Sequence, residues 1–126
     1  MTDAHSPATV ADRLMDALNR ADADAVRATY APDARIWHNF DQGLQSVEEN
    51  IESMKFVHSK LQGLNYDVQN RIAFPGGFVQ QHVLRGTLPS GEAFALPACA
   101  ICTVKDGRIT LLEEYLDTAQ ARPLFR

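Results

Sequence analysis

Apolar residues recur every three or four positions along the first half of the chain and every second position along the second half. The change of period falls near Gly63. Ser6 followed by Pro7 forms a helix start, an N-cap with proline in the first turn. Val10, Leu14 and Leu18 follow four apart, with Ala11, Met15 and Ala17 beside them. This spacing predicts an amphipathic helix over about residues 7–20. Asp22 or Asp24 caps a second, short helix carrying Val26 and Tyr30, which Pro32 ends. A short strand centred on Ile36 and Trp37 is expected over about 35–40. Ser46-Val47-Glu48-Glu49 is a capping box. Val47, Ile51, Met54, Val57 and Leu61 then mark one face of a long helix over about 46–62, with Gly63 as its stop.

Beyond Gly63 the alternation reads as strands. Tyr66, Val68, Ile72 and Phe74 share one face, and Asp67, Gln69 and Arg71 the other. Pro75-Gly76-Gly77, Pro89-Ser90-Gly91 and Asp106-Gly107 are turns. They separate strands over about 78–88, 92–105 and 108–118. Helices followed by a four-stranded antiparallel meander give an α+β class, in a single domain spanning residues 1–126. A sheet covered by helices on its concave face curves into an open cone, and the cone's mouth is a natural small-molecule pocket.

Composition narrows the partners. Of 126 residues, 45% are hydrophobic and 22% charged, which is a globular balance. The formal charge of -4 argues against a nucleic-acid surface. No apolar run approaches the ~18 residues of a membrane span, and the first residues hold no secretory h-region. Cys99 and Cys102 lie in one expected strand. Three positions apart they point to opposite faces with Cα atoms ~10 Å apart, too far to bridge. Two reduced, packed cysteines fit a cytoplasmic location. No zincin, P-loop or dinucleotide fingerprint is present, so neither a metal nor a cofactor is expected.

Three sets of residues carry candidate chemistry. Glu113 and Glu114 are adjacent on the last strand, so one faces the cone: Leu112, Glu114 and Leu116 form one set, Leu111, Glu113 and Tyr115 the other. A carboxylate between two leucines would be desolvated, which raises its pKa and suits proton transfer. His82 interrupts an apolar strand and is a base for neutral pH. A three-residue loop over 89–91 sets Leu84 opposite Leu96 and His82 opposite Ala98. A four-residue loop turns His82 outward and Gln81 inward. Trp37, His38 and Asn39 form the third set. In a regular strand only one of His38 and Asn39 points inward, and Trp37 shares the parity of Asn39.

The order of elements, with YAPDARIWHNF at 30–40 and DGRITLLEEYLD at 106–117, resembles the nuclear-transport-factor-2-like group. That group includes ketosteroid isomerases, SnoaL-like cyclases and limonene epoxide hydrolases. The resemblance implies a cone fold and places Glu114 where the epoxide hydrolases carry a catalytic carboxylate. It puts Trp37 and Asn39 where those enzymes hold a water, and His38 close to the general-base position of the isomerases. Its gapless match favours the four-residue loop, whereas a shared buried face for Phe78, Leu84 and Leu96 favours the three-residue one. The strand FVQQHVLRGTL lacks the hydrolases' Arg-x-Asp pair, and the helix ADRLMDALNR lacks the isomerases' tyrosine, so neither reaction carries over directly.

The expected function is therefore a small-molecule-binding cone. Its leading form is a cofactor-free enzyme moving a proton on a largely apolar compound of steroid or polyketide type. Glu114 and His82 are the catalytic candidates, and Trp37, His38, Asn39, Leu112, Leu116 and Leu96 the binding ones. The alternatives are a non-catalytic ligand-binding module and a dimerisation domain whose cone Trp37 and Phe56 would plug. Apolar residues remain on the sheet's outer face in either register, which points to a homodimer.

Overall fold

The computed structural model describes residues 4–125. Helix α1 (Pro7–Asn19) begins at Ser6, whose side chain accepts the Thr9 N–H. Helix α2 (Ala23–Thr29) is capped by Asp22, and α3 (Val47–Lys60) by the Ser46–Glu49 capping box. Six strands follow the order β1 (Tyr30–His38), β2 (Leu44–Gln45), β3 (Gln62–Phe74), β4 (Gly77–Thr87), β5 (Ala93–Lys105) and β6 (Arg108–Leu116). Asp117 caps α4 (Thr118–Ala121), which runs into a 3-10 turn, Arg122–Phe125.

The strands form one curved sheet in the order β2-β1-β6-β5-β4-β3. The four strands after α3 pair antiparallel as expected. Asp106 (φ 53°) and Gly107 (φ 78°) both take the left-handed conformation that a two-residue hairpin requires. The sheet also contains a pair not foreseen from the pattern. β1 lies parallel to β6, which the long intervening chain permits. Helices pack on the concave face, and Val10, Leu14, Val26, Ile36, Ile51, Phe78 and Ile109 are all at most 1% exposed there. A second cluster around Leu61, Leu84, Phe94, Leu96 and Leu124 closes the other end.

Four local expectations are corrected. α2 ends at Thr29, and Tyr30 opens β1 five residues earlier than the pattern indicated. Pro32 sits where the β1–β6 register shifts between Tyr30 and Arg35, a place where a missing N–H costs no ladder bond. α3 stops at Lys60, and Gly63, with φ of 67°, belongs to β3. The fourth correction changes an entire face. A bulge between Val68 and Asn70 shifts the parity of β3. Tyr66 and Val68 stand opposite Leu84 and His82, but beyond Gln69 it is Arg71 that stands opposite the buried Gln80. Ile72 is turned out and is 61% exposed.

The β4–β5 register pairs Leu84 with Leu96 and His82 with Ala98. This is the three-residue-loop alternative, closed by hydrogen bonds between Leu88 and Glu92 and between Gly91 and Leu88. His82 therefore faces inward. Cys102 is buried and Cys99 half-buried, and both are free thiols.

Candidate functional site

Between the concave face and the helices lies a cavity of about 730 Å³, of a size that accommodates a small organic molecule. Its wall is mainly apolar, with Leu14, Ile36, Met54, Phe78, Leu96 and Leu112 among the lining residues. Phe56 and Phe125 stack at its rim, ring centroids 5.7 Å apart. The cone is open, and neither Trp37 nor Phe56 plugs it.

One carboxylate dominates the polar part of this wall. Glu114 of β6 points inward between Leu112 and Leu116 and lies between two imidazoles. His38 Nε2, from β1, is 3.3 Å from Oε1, and His82 Nε2, from β4, is 3.4 Å from Oε2. Register explains the meeting, because His38 stands opposite Glu114 across the parallel pair and Glu114 is reached from His82 across β5. Burial pushes the Glu114 carboxyl up, but hydrogen bonds from His38 and His82 outweigh it and hold the group down at about 2. The desolvation argument from sequence thus gave the wrong direction, since it did not count the two donors that the fold supplies. At neutral pH Glu114 is a carboxylate.

The two rings differ in what remains available. His82 is 3% exposed, and its Nδ1 is taken by Gln80 Nε2 at 3.0 Å. His38 lines the cavity beside Phe40, ring centroids 5.1 Å apart. Its Nδ1 has no hydrogen-bond partner among the described residues. No fully buried side-chain nitrogen or oxygen lacks a partner there, so this nitrogen opens onto space.

Trp37 and Asn39 do not line the cavity. Trp37 packs edge-on against Tyr115, centroids 5.2 Å apart, on the parity opposite to Glu114. Asn39 works on the backbone: its Nδ2 donates to Leu116 O at 3.1 Å and its Oδ1 accepts the Leu116 N–H at 3.0 Å. His38 is the inward member of the triplet. Leu96, Leu112 and Leu116 all line the cavity.

Sequence reasoning missed two lining tyrosines, Tyr30 and Tyr66. Burial first, and the nearby Glu114 charge among lesser causes, raise both phenols, so both stay protonated donors. Neither hydroxyl has a protein partner among the described residues, so by the same reasoning both open onto space. The YAP and NYD contexts held no signal for this role beyond the apolar alternation. Among the described residues, no group of three or more His, Cys, Asp or Glu is spaced to hold a metal ion. No described helix is long and apolar enough to cross a membrane.

The SnoaL-like domain family matches residues 11–112, which take in His38, His82 and the strands that hold them. The chain belongs to the SnoaL-like family. Solved structures agree with the cone seen in this SnoaL-like domain. Wild-type IdmH from Streptomyces antibioticus, described as a candidate polyketide cyclase, superposes with a TM-score of 0.84 at 21% identity, over 94% of this chain and 97% of that one. An NTF2-like protein of unknown function from Burkholderia pseudomallei gives 0.80 at 21% identity, over 98% of each chain. A candidate SnoaL-like polyketide cyclase from a Jannaschia species gives 0.80 at 21% identity, over 97% and 94%. At these identities the likeness shows the fold. No curated protein sequence matches this SnoaL-like domain.

Proposed function

We propose that this protein is a cofactor-free enzyme that moves a proton on a largely apolar, carbonyl-bearing small molecule, in a reaction of the cyclase or isomerase type. The observation that carries this reading is the Glu114 carboxylate held between two histidines on the wall of an apolar cavity. His38 is the base. With its Nε2–H donated to Glu114, its Nδ1 is the accepting nitrogen and opens onto space. Glu114 orients the ring and offsets the positive charge that builds on it as it takes the proton. A carboxylate held near 2 is itself a weak base, which is why the role passes from Glu114 to His38. Tyr30 and Tyr66 offer neutral hydroxyls to the oxygen of an enolate.

The C–H electron pair beside a carbonyl shifts onto the carbonyl oxygen as His38 takes the proton. As the carbonyl re-forms, either a conjugated carbon takes the proton back from His38, which moves the double bond, or the enolate carbon bonds to a second carbonyl carbon, whose oxygen takes that proton. The cyclase outcome is supported by the descriptions of the IdmH and Jannaschia proteins. The protein is also proposed to act as a homodimer through the outer face of its sheet.

Proton–deuteron exchange tests the reading without the natural substrate. A panel of apolar cyclic ketones and 1,3-diketones, followed by NMR in D2O, should show exchange beside the carbonyl above the buffer rate. His38→Asn should abolish the excess. Binding without exchange across the panel would favour a ligand-binding module of the same fold.

A further inference from the structure

The bulge in β3 has chemical content. Without the extra residue, Arg71 would share the outer face with Asp67, and Ile72 would turn inward. With it, Arg71 Nε donates to Gln80 Oε1 at 2.9 Å, while the same guanidinium reaches Asp12 on α1. Gln80 is 1% exposed. Its amide nitrogen contacts two groups, His82 Nδ1 at 3.0 Å and Met15 Sδ at 3.3 Å.

Donor and acceptor counting leaves one arrangement. A guanidinium has donors and no acceptor, so the Gln80 oxygen must face Arg71. The NH2 group must then face His82 and Met15, and thioether sulfur is an acceptor, which agrees. His82 Nδ1 consequently has to accept, and the ring's proton must sit on Nε2. Nε2 lies 3.4 Å from Glu114 Oε2. Flipping the amide would set NH2 against guanidinium and carbonyl oxygen against sulfur, two mismatches in a buried site.

We propose that Arg71 is a positioning residue: it locks the Gln80 amide, and through it the Nε2–H tautomer of His82, so that Glu114 keeps a second hydrogen-bond donor. It deepens the reading of His38 and Glu114 as the proton-transfer pair and rests on it for its catalytic meaning. With the wrong tautomer, His82 would offer Glu114 a lone pair, and the carboxylate would be held by His38 alone.

Long-range proton–nitrogen correlation spectra of 15N-histidine-labelled protein read the tautomer directly, without any substrate. The full-length wild type should show His82 protonated at Nε2 only. Arg71→Met should add a second set of His82 signals from the Nδ1–H form, because the freed amide can then turn. Arg71→Lys retains a donor-only cation and should restore the wild-type pattern, a rescue that loss of packing alone would not produce. Gln80→Glu should put a proton on His82 Nδ1, and it serves if Arg71→Met does not fold. A wild-type His82 protonated at Nδ1, or an unchanged His82 pattern in either Arg71→Met or Gln80→Glu, would overturn the proposal. In the exchange assay, Arg71→Met should slow turnover on the order of tenfold, with Arg71→Lys recovering most of it. Absence of exchange in the wild type, with the tautomer pattern as expected, would defeat the enzymatic reading and leave the positioning of His82 standing.

Discussion

His38 and Glu114 stand opposite each other across the parallel β1–β6 pair, and their side chains meet at 3.3 Å. Opposed residues of paired strands point to the same face, so this contact depends on register. Replacing Glu114 by Gln keeps the shape and removes the charge that orients His38. Turnover should fall about 100-fold or more, the scale of acid–base catalysis, while circular dichroism stays that of the wild type. Undiminished turnover of Glu114→Gln would remove Glu114 from the mechanism.

Asn39 holds that register by behaving like an added backbone unit, with two bonds to Leu116. Asn39→Ala should cost about 1–3 kcal/mol in urea unfolding, the scale for leaving partly buried backbone groups unsatisfied. A loss indistinguishable from zero would mean that water replaces both bonds.

The pH dependence of stability should carry the signature of Glu114. Its carboxyl titrates at an ordinary 4.5 when unfolded and at about 2 when folded. The unfolded chain therefore binds the proton first as pH falls. The contribution is fully present above about 4.5 and fades as pH drops towards 2, and it is on the order of 3 kcal/mol. Denaturation at pH 7, 4 and 3 should show wild type losing more stability than Glu114→Gln. Parallel losses would contradict the two-histidine clamp.

On the outer face, Ile72, Val79 and Ile101 form a continuous apolar row across β3, β4 and β5. Ile72 is 61%, Phe74 42% and Tyr115 45% exposed. Sedimentation should give twice the chain mass of 14.0 kDa, and Ile101→Glu should shift the species towards one chain. A wild type that sediments as a single chain at micromolar concentration would exclude the dimer.

The helices were legible because their signals are local: Ser6-Pro7, the Ser46–Glu49 box and the four-residue recurrence of apolar side chains lie within a few turns. The meander was legible for the same reason, down to the Asp106-Gly107 hairpin. The site was legible only in its parts. Parity could narrow Glu113 or Glu114 to one inward carboxylate, but the direction of its pKa depended on His38 and His82 arriving from other strands. Arg71 was invisible because one extra residue at a bulge reverses a strand's faces, and nothing in the alternation of Tyr66, Val68, Ile72 and Phe74 marks it. Trp37 looked like a lining residue because β1 was expected without its parallel neighbour, whose register decides which of its residues look inward.

The parallel seating of β1 beside β6 has a consequence for biosynthesis. His38 is made early and Glu114 near the end, and neither has its partner until the last strand docks beside the first. The cluster of His38, His82 and Glu114 is complete only with β6, and the contact that creates it spans a large sequence separation, a kind that forms slowly. The proposed activity would thus report a finished sheet. A chain interrupted before β6 would lack Glu114 and also the strand that joins β1 to β5.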